Sequence, residues 1–262
     1  SQVGTKGMFT KEIEEALAGG RVHLAVHSLK DLPTELPTGF ALAATPPRVD
    51  PRDVFVSVRF ANLVELPPGA KVGTSSQRRR AQLRALRSDL ELLEFRGNVD
   101  TRLRKLGEGQ VDGILLAAAG LDRLGKTDWI RERLDPVQFC PAAGQGSLGI
   151  ETRENDEATI QALAFLDDPA TRFAVTAERA ALAALGGGCH VPIGVYCRPV
   201  PSDTATAEIF AVVAAPDSGK AVRIHHSAPS SADPVALGKL AAQMLFDAGA
   251  AELLETTEAS RQ

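Results

Sequence analysis

The sequence has 262 residues, 44% of them hydrophobic and 24% charged, with a formal net charge of −4. That length supports two or three domains with cores of their own, and the acidic balance excludes a general affinity for nucleic acid. No apolar run approaches the ~20 residues of a membrane span, no charged-then-apolar leader opens the sequence, and Cys140, Cys189 and Cys197 make an odd number without metal spacing, so the expected location is the reducing cytoplasm.

In chain order, "KGMFTKEIEEALAGG" reads as a helix ended by Gly19 and Gly20, and "VHLAV" as a strand. The loop "HSLKDLPTELPTG" and a strand "FALAAT" follow, and then "PPRVDPRD", a proline-rich crossing between domains. Beyond it strands and helices alternate: "DVFVSV", "AKVG", a helix from about Ser76 to Arg87, "LELLEF", a helix from about Val99 to Leu106, and "VDGILLAA". That alternation predicts an α/β domain. "QFCPAAGQG" is a second break, so the chain leaves a first domain and returns to it. A helix from about Pro169, the glycines 186–188, three strand-like runs ("IGVYCRPV", "AEIFAVVAA", "AVRIHHSA") and one last helix, "PVALGKLAAQMLFDAGAAELL", predict a small α+β third domain. The tail "TTEASRQ" is expected to fray.

The charge is unevenly placed. Residues 71–105 hold ten basic groups against four acids, nearly all of the bases arginine, the residue suited to forked recognition of carboxylate or phosphate. In "GTSSQRRRAQLRALR", Thr74, Ser75 and Ser76 stand at an expected helix start, with Arg78, Arg79 and Arg80 just inside it. Read alone, this is either an N-cap with a solvated basic face or an anion site. Cations at a helix N-terminus oppose its dipole, which favours a bound anion. "RGNVDTRLRKL" repeats the theme with Arg96 and Arg102, and successive basic strand-to-helix turns line a cleft in α/β sheets. In "VHSLKDLP", Lys30 and Asp31 follow a strand; Asp31 is either a turn former or a carboxylate for proton transfer. His27, His225 and His226 read as structural. The stretch from Gly120 to Thr127, "GLDRLGKT", fits GxxxxGK[ST], but Leu121 and Leu124 are spaced to bury a helical turn, unlike the small residues of a phosphate loop.

Taken together, "KGMFTKEIE", "VHSLKDLP", "VDPRD", "VGTSSQRRRAQL", "RGNVDTRLRKL", "AGLDRLG", "PAAGQGSLGIE" and "ERAALAALGGGCHVPIG" resemble, in order and spacing, the porphobilinogen deaminase (hydroxymethylbilane synthase) family over Lys6 to Gly194. The resemblance implies an α/β protein of three domains, the first two like type II periplasmic binding proteins joined by a hinge, the third a small α+β unit. Domain 1 would take residues 1–47 and 146–166, domain 2 residues 48–145, and domain 3 residues 167–262. It implies a transferase that deaminates four porphobilinogen molecules and joins them head to tail on a dipyrromethane cofactor, releasing hydroxymethylbilane and ammonia for tetrapyrrole synthesis. Cys189 would hold the cofactor through a thioether, the preceding glycines letting a pyrrole close to the backbone. A cysteine after a helix C-terminus suits a permanent link better than a turnover nucleophile.

By the same resemblance, Ser28, Lys30, Thr74, Ser75, Ser76, Arg78, Arg79 and Arg102 would grip cofactor carboxylates. Arg96, Arg102, Arg123, Gln145, Lys6 and Phe9 would serve the incoming substrate. Asp31 would be the catalytic carboxylate that binds pyrrole N–H groups and steadies the cation formed as ammonia leaves. Cys140 and Cys197 would be packing residues, and no metal is implied. The working form would be a cytoplasmic monomer without nucleic-acid or membrane partners. Family members also carry a strand–helix unit ahead of the position where this sequence begins, with an arginine and a serine of the substrate site. Asp100 replaces a small residue and is expected to soften the pull of Arg96 and Arg102. A hinged polyanion receptor without catalysis and a P-loop NTPase are the competing readings; the first leaves Cys189 unexplained.

Overall fold

The computed structural model describes residues 5–187 and 191–259, and side chains over 11–187 and 191–255. In chain order, α1 (Thr5–Ala18), β1 (Leu24–Ser28) and β2 (Phe40–Ala44) precede the first crossing. After it come β3 (Asp53–Val56), β4 (Lys71–Gly73), α2 (Gln77–Leu86), β5 (Glu91–Leu93), α3 (Val99–Gly107), β6 (Gly113–Ala117), α4 (Ala118–Arg123) and β7 (Ile130–Arg133). The second crossing leads to β8 (Leu148–Arg153), α5 (Glu157–Leu163) and α6 (Pro169–Ala184). The chain ends in β9 (Ile193–Val200), β10 (Asp203–Ala214), β11 (Ala221–Pro229), α7 (Pro234–Asp247) and α8 (Ala250–Ala259).

Among the described residues the strands form three sheets, ordered β1-β8-β2, β5-β4-β6-β3-β7 and β11-β10-β9. β8 lies between β1 and β2, antiparallel to both, so the strand after the second crossing completes the sheet begun before the first. In the five-stranded sheet β4 runs parallel to β5 and β6, whereas β3 is antiparallel to β6 and β7. All four residues of β3 are buried. An apolar run covered on both faces reads that way; clusters around Phe55, Val72 and Leu83 on one side and Val54, Ile114 and Leu121 on the other cover it. In the last unit α6 and α7 pack on the sheet, with Ala177, Ala181, Ala241 and Leu245 of the helices meeting Ile209 of β10 in one buried cluster.

Local chemistry sets the helix starts. Ser76, Asn98, Asp156, Asp168 and Asp233 each accept a backbone N–H from the first turn that follows them. Pro169 and Pro234 sit where no N–H is needed. The structure also departs from expectation. The last helix is two helices, because Gly249 adopts a φ of 94° that a helix cannot continue. Residues 256–259 belong to α8 instead of a frayed tail. β7, β8 and α5 were not foreseen.

One carboxylate ties the crossings to the third unit. Glu178 on α6 is fully buried. It accepts from Arg48 at 2.6 and 3.2 Å, from the Gly144 amide at 2.7 Å and from the Cys197 amide at 2.8 Å. Arg48 also donates to the Gln145 carbonyl at 2.9 Å. A buried charge needs this many partners to be tolerated.

Candidate functional site

β4 delivers the chain to the N-terminus of α2 through Thr74, Ser75 and Ser76. Their hydroxyls accept from the Ser76, Phe95 and Arg79 amides at 3.3, 3.1 and 3.4 Å. A hydroxyl that accepts in this way still has its own proton to donate. Arg78 and Arg79, nearly fully buried, turn toward Asp53 at the start of β3. Arg78 reaches its carboxylate at 2.6 and 3.2 Å and the Cys140 carbonyl at 2.7 Å. Arg79 reaches the carboxylate at 2.9 and 2.7 Å and the Leu115 carbonyl at 3.0 Å. Burial would raise the Asp53 carboxyl, but the two guanidinium groups outweigh it and hold it well below its ordinary value. The anion expected at this helix start is therefore, for Arg78 and Arg79, one of the chain's own carboxylates. Both were expected to grip cofactor carboxylates; within the chain their guanidinium groups hold Asp53 and two carbonyls.

β1 ends at the exposed Ser28, and the turn Leu29–Asp31 carries Lys30 and Asp31 into the same region. The turn is fixed from below: the Leu29 amide donates to the Ser147 carbonyl at 3.0 Å, and Leu29 and Leu32 pack with Val175 of α6. Burial and the nearby Arg79 push the Lys30 ammonium down to about 8, although Asp31 and Asp53 oppose them. Arg102, on α3, is lowered by burial and again by Arg79. Its Nε is buried without a hydrogen-bond partner. Gln145 donates to the Pro51 carbonyl at 2.7 Å and to Asp53 at 3.1 Å, while its Oε1 and the Ser147 Oγ are buried and unpartnered. Arg123 donates to the Gly146 carbonyl at 3.3 Å. Gly146 has a φ of 88°, and a Cβ there would lie 2.6 Å from the Val49 carbonyl oxygen, so only glycine lets the two crossings touch.

The structure thus gathers Lys30, Arg78, Arg79 and Gln145 around Asp53, with Asp31 near Lys30, Arg102 near Arg79, and the three hydroxyls of residues 74–76 at the start of the helix that carries Arg78 and Arg79. It does not gather Arg96, whose side chain is 81% exposed and pairs with Glu94 at 2.5 Å. Asp100, expected to act on Arg96 and Arg102, pairs with Lys126 at 2.7 Å. That pairing, and the helix α4 inside "GLDRLGKT", remove the phosphate-loop reading. Cys189 and His190 lie outside the described residues, and so do the side chains of Lys6 and Phe9. Cys140 and Cys197 are buried, and burial pushes both thiols up to about 12. His27 bonds Glu151 at 2.9 Å, and His225 stacks on Phe210 at 4.4 Å. Among the described residues no group of three His, Cys, Asp or Glu could hold a metal, and no helix is long and apolar enough to cross a membrane. Sequence reasoning missed Asp53 as the centre of the cluster. Its only signal was an aspartate directly ahead of an apolar run that is buried on both faces.

Two family descriptions match the chain: "Porphobilinogen deaminase, dipyromethane cofactor binding domain" over residues 1–161 and "Porphobilinogen deaminase, C-terminal domain" over residues 172–247. A porphobilinogen deaminase of Roseiflexus castenholzii is 53% identical over 252 residues, which is 96% of this chain and 82% of that protein. One of Trichlorobacter lovleyi is 51% identical over 255 residues, 97% of this chain and 80% of that protein. Among solved structures, a putative methionine-binding lipoprotein of Bacillus subtilis superposes at a TM-score of 0.40 with 14% identity, covering 60% of this chain and 74% of its own. A superposition this loose adds nothing to the family matches.

Proposed function

The chain belongs to the porphobilinogen deaminase family, and on that premise we propose that the Lys30–Asp31 turn and the cationic wall around it form the centre that assembles hydroxymethylbilane from four porphobilinogen molecules. The observation that carries the assignment is Arg102: a buried guanidinium Nε with no partner, near the same Arg79 whose charge helps push Lys30 down to about 8. Buried donors without acceptors cost free energy, and a ligand rich in carboxylates relieves that cost. Each pyrrole of the family's cofactor and substrate carries two carboxylates, so these residues fit both. Dipyrromethane, held through Cys189, supplies when bound the pyrrole carbon to which the first unit is joined.

Lys30, Arg102, Ser28 and the hydroxyl protons of Thr74, Ser75 and Ser76 receive the cofactor's carboxylates. Arg78 and Arg79 support that wall through Asp53 and add positive potential from behind it. Arg123, Gln145 and Arg102 hold the incoming porphobilinogen, with Arg96, Lys6 and Phe9 contributing from the rim. Asp31 accepts pyrrole N–H groups, steadies the substrate's positive charge as ammonia departs and takes part in the proton transfers that follow. The hinge runs between residues 1–47 with 146–166 and residues 48–145, with 167–262 as a third domain; the sheet shared by β1, β2 and β8 supports that division. The protein works as a monomer in the cytoplasm, with neither nucleic acid nor membrane as partner.

Intact mass tests the centre directly. Purified protein carries an adduct of two pyrrole units, which Cys189→Ser abolishes. Asp31→Ala keeps the fold and stops pyrrole condensation. Unmodified protein with full activity, or near-normal turnover in Asp31→Ala, would remove the corresponding residue from the reading.

A further inference from the structure

We propose that Arg179 is a positioning residue that holds the Asp31 turn in its working place by clamping the backbone carbonyls of three successive residues. The inference rests on the assignment of Asp31 above. From α6, Arg179 sends Nη1 to the Leu32 carbonyl at 3.5 Å and Nη2 to the Pro33 and Thr34 carbonyls at 2.5 and 3.1 Å. Every hydrogen bond it makes among the described residues goes to this segment. The segment needs such a donor: it is irregular, contains a proline and belongs to no sheet, so its carbonyls lack the partners that regular structure supplies. A guanidinium offers five donors in one rigid plane, so it reaches three neighbouring carbonyls from two nitrogens, whereas an ammonium presents its three donors from a single point.

The clamp has a second point one helical turn away. Val175 and Arg179 are four residues apart and share a face of α6. Val175 packs with Leu29 and Leu32, and Arg179 bonds from Leu32 onward, so Asp31 is bracketed by contacts to one helix. That helix is itself fixed, because the neighbouring Glu178 accepts from Arg48 and from amides of both the second crossing and β9. α6 also leads to the glycines before residue 189. A single element therefore holds the Asp31 turn along its middle and runs from there toward the proposed cofactor-bearing cysteine. A carboxylate displaced by about 1 Å can lose up to roughly 100-fold in rate.

The test compares Arg179→Met, which keeps the apolar stem and removes the fork, with Arg179→Lys, which keeps one donor group. Both are prepared as cofactor-loaded enzyme alongside Arg172→Met, which removes donors to the Leu42 and Ala43 carbonyls from the same helix. Arg179→Met is expected to lower kcat roughly tenfold to 100-fold with KM nearly unchanged, since the carboxylate-binding cations stay in place. Arg179→Lys recovers part of that loss, and Arg172→Met keeps kcat. Amide hydrogen exchange over residues 29–38, read by mass spectrometry, is faster in Arg179→Met and intermediate in Arg179→Lys. If the methionine variant does not accumulate folded, the lysine variant carries the test through the same two readouts. Normal kcat with unchanged exchange, no rescue by lysine, or an equal kcat loss in Arg172→Met overturns the proposal. Asp31→Asn is measured in parallel. If it turns over normally, the site assignment fails whatever Arg179 does; if it is inactive while Arg179→Met is normal, only the clamp fails.

Discussion

Replacing Asp53 with asparagine keeps the shape of the side chain and removes the one carboxylate on which Arg78 and Arg79 converge. Both guanidinium groups are nearly fully buried, so water cannot replace the lost partner. Breaking a buried pair by deleting one member costs about 3–5 kcal/mol, because the remaining charge is left uncompensated. Here two charges remain, but each keeps a carbonyl, of Cys140 and Leu115 respectively, and the asparagine oxygen still accepts a hydrogen bond. The lower part of that range is therefore expected. At about 2–4 °C per kcal/mol for a chain of this size, Asp53→Asn should lower Tm by roughly 6–15 °C, read by circular dichroism during heating. The pH dependence has a definite sign. The Asp53 carboxyl is held below its ordinary 3.8, so its contribution is complete above that value and is lost as pH falls below it. The gap between parent and variant should close in acid. A Tm change under about 2 °C at neutral pH, or a gap that does not close in acid, would refute the view that Asp53 neutralises the two arginines.

Lys30, pushed to about 8, should make binding of a small tricarboxylate probe weaken as pH rises through 8. A bound carboxylate restores the ammonium, so calorimetry in buffers of different ionisation heat should show proton uptake above that pH, absent in Lys30→Met. The unfolded chain binds this proton more tightly than the folded one, so the lysine makes stability rise with pH between 8 and 10.5. Lys126→Ala should leave turnover within about twofold and change stability by no more than ~1 kcal/mol, because its pair with Asp100 is solvent-exposed; loss of activity would revive the phosphate-loop reading. Arg102→Met should leave the apoprotein at least as stable as the parent in urea, since it removes a buried donor that has no acceptor, yet impair cofactor loading by intact mass. A strongly destabilised apoprotein would show that its Nε is satisfied in solution.

Much of the fold was legible because its strands are short apolar runs with clear breaks between them. The long helix before the glycines was equally clear from Pro169 onward. β7, "IRER", was not legible: it is an edge strand whose only sheet neighbour among the described residues is β3, and its charged side chains carry no alternation of apolar residues. The site's cations were visible as a local excess of arginine. What they face was not, because Asp53 lies 25 and 26 residues from Arg78 and Arg79 in sequence and meets them only through the sheet. Asp100 misled for the same reason. Its nearest cations in sequence are arginines, but its partner, Lys126, comes from the end of another helical turn.

The two thiols beneath the surface have a practical consequence. Cys140 and Cys197 are each 1% accessible and hold their protons to about pH 12, so neither offers a maleimide any thiolate to attack under native conditions. Alkylation of the intact fold therefore counts neither Cys140 nor Cys197. Under the proposed thioether at Cys189, label taken up by the intact fold therefore reports chains that lack the cofactor there.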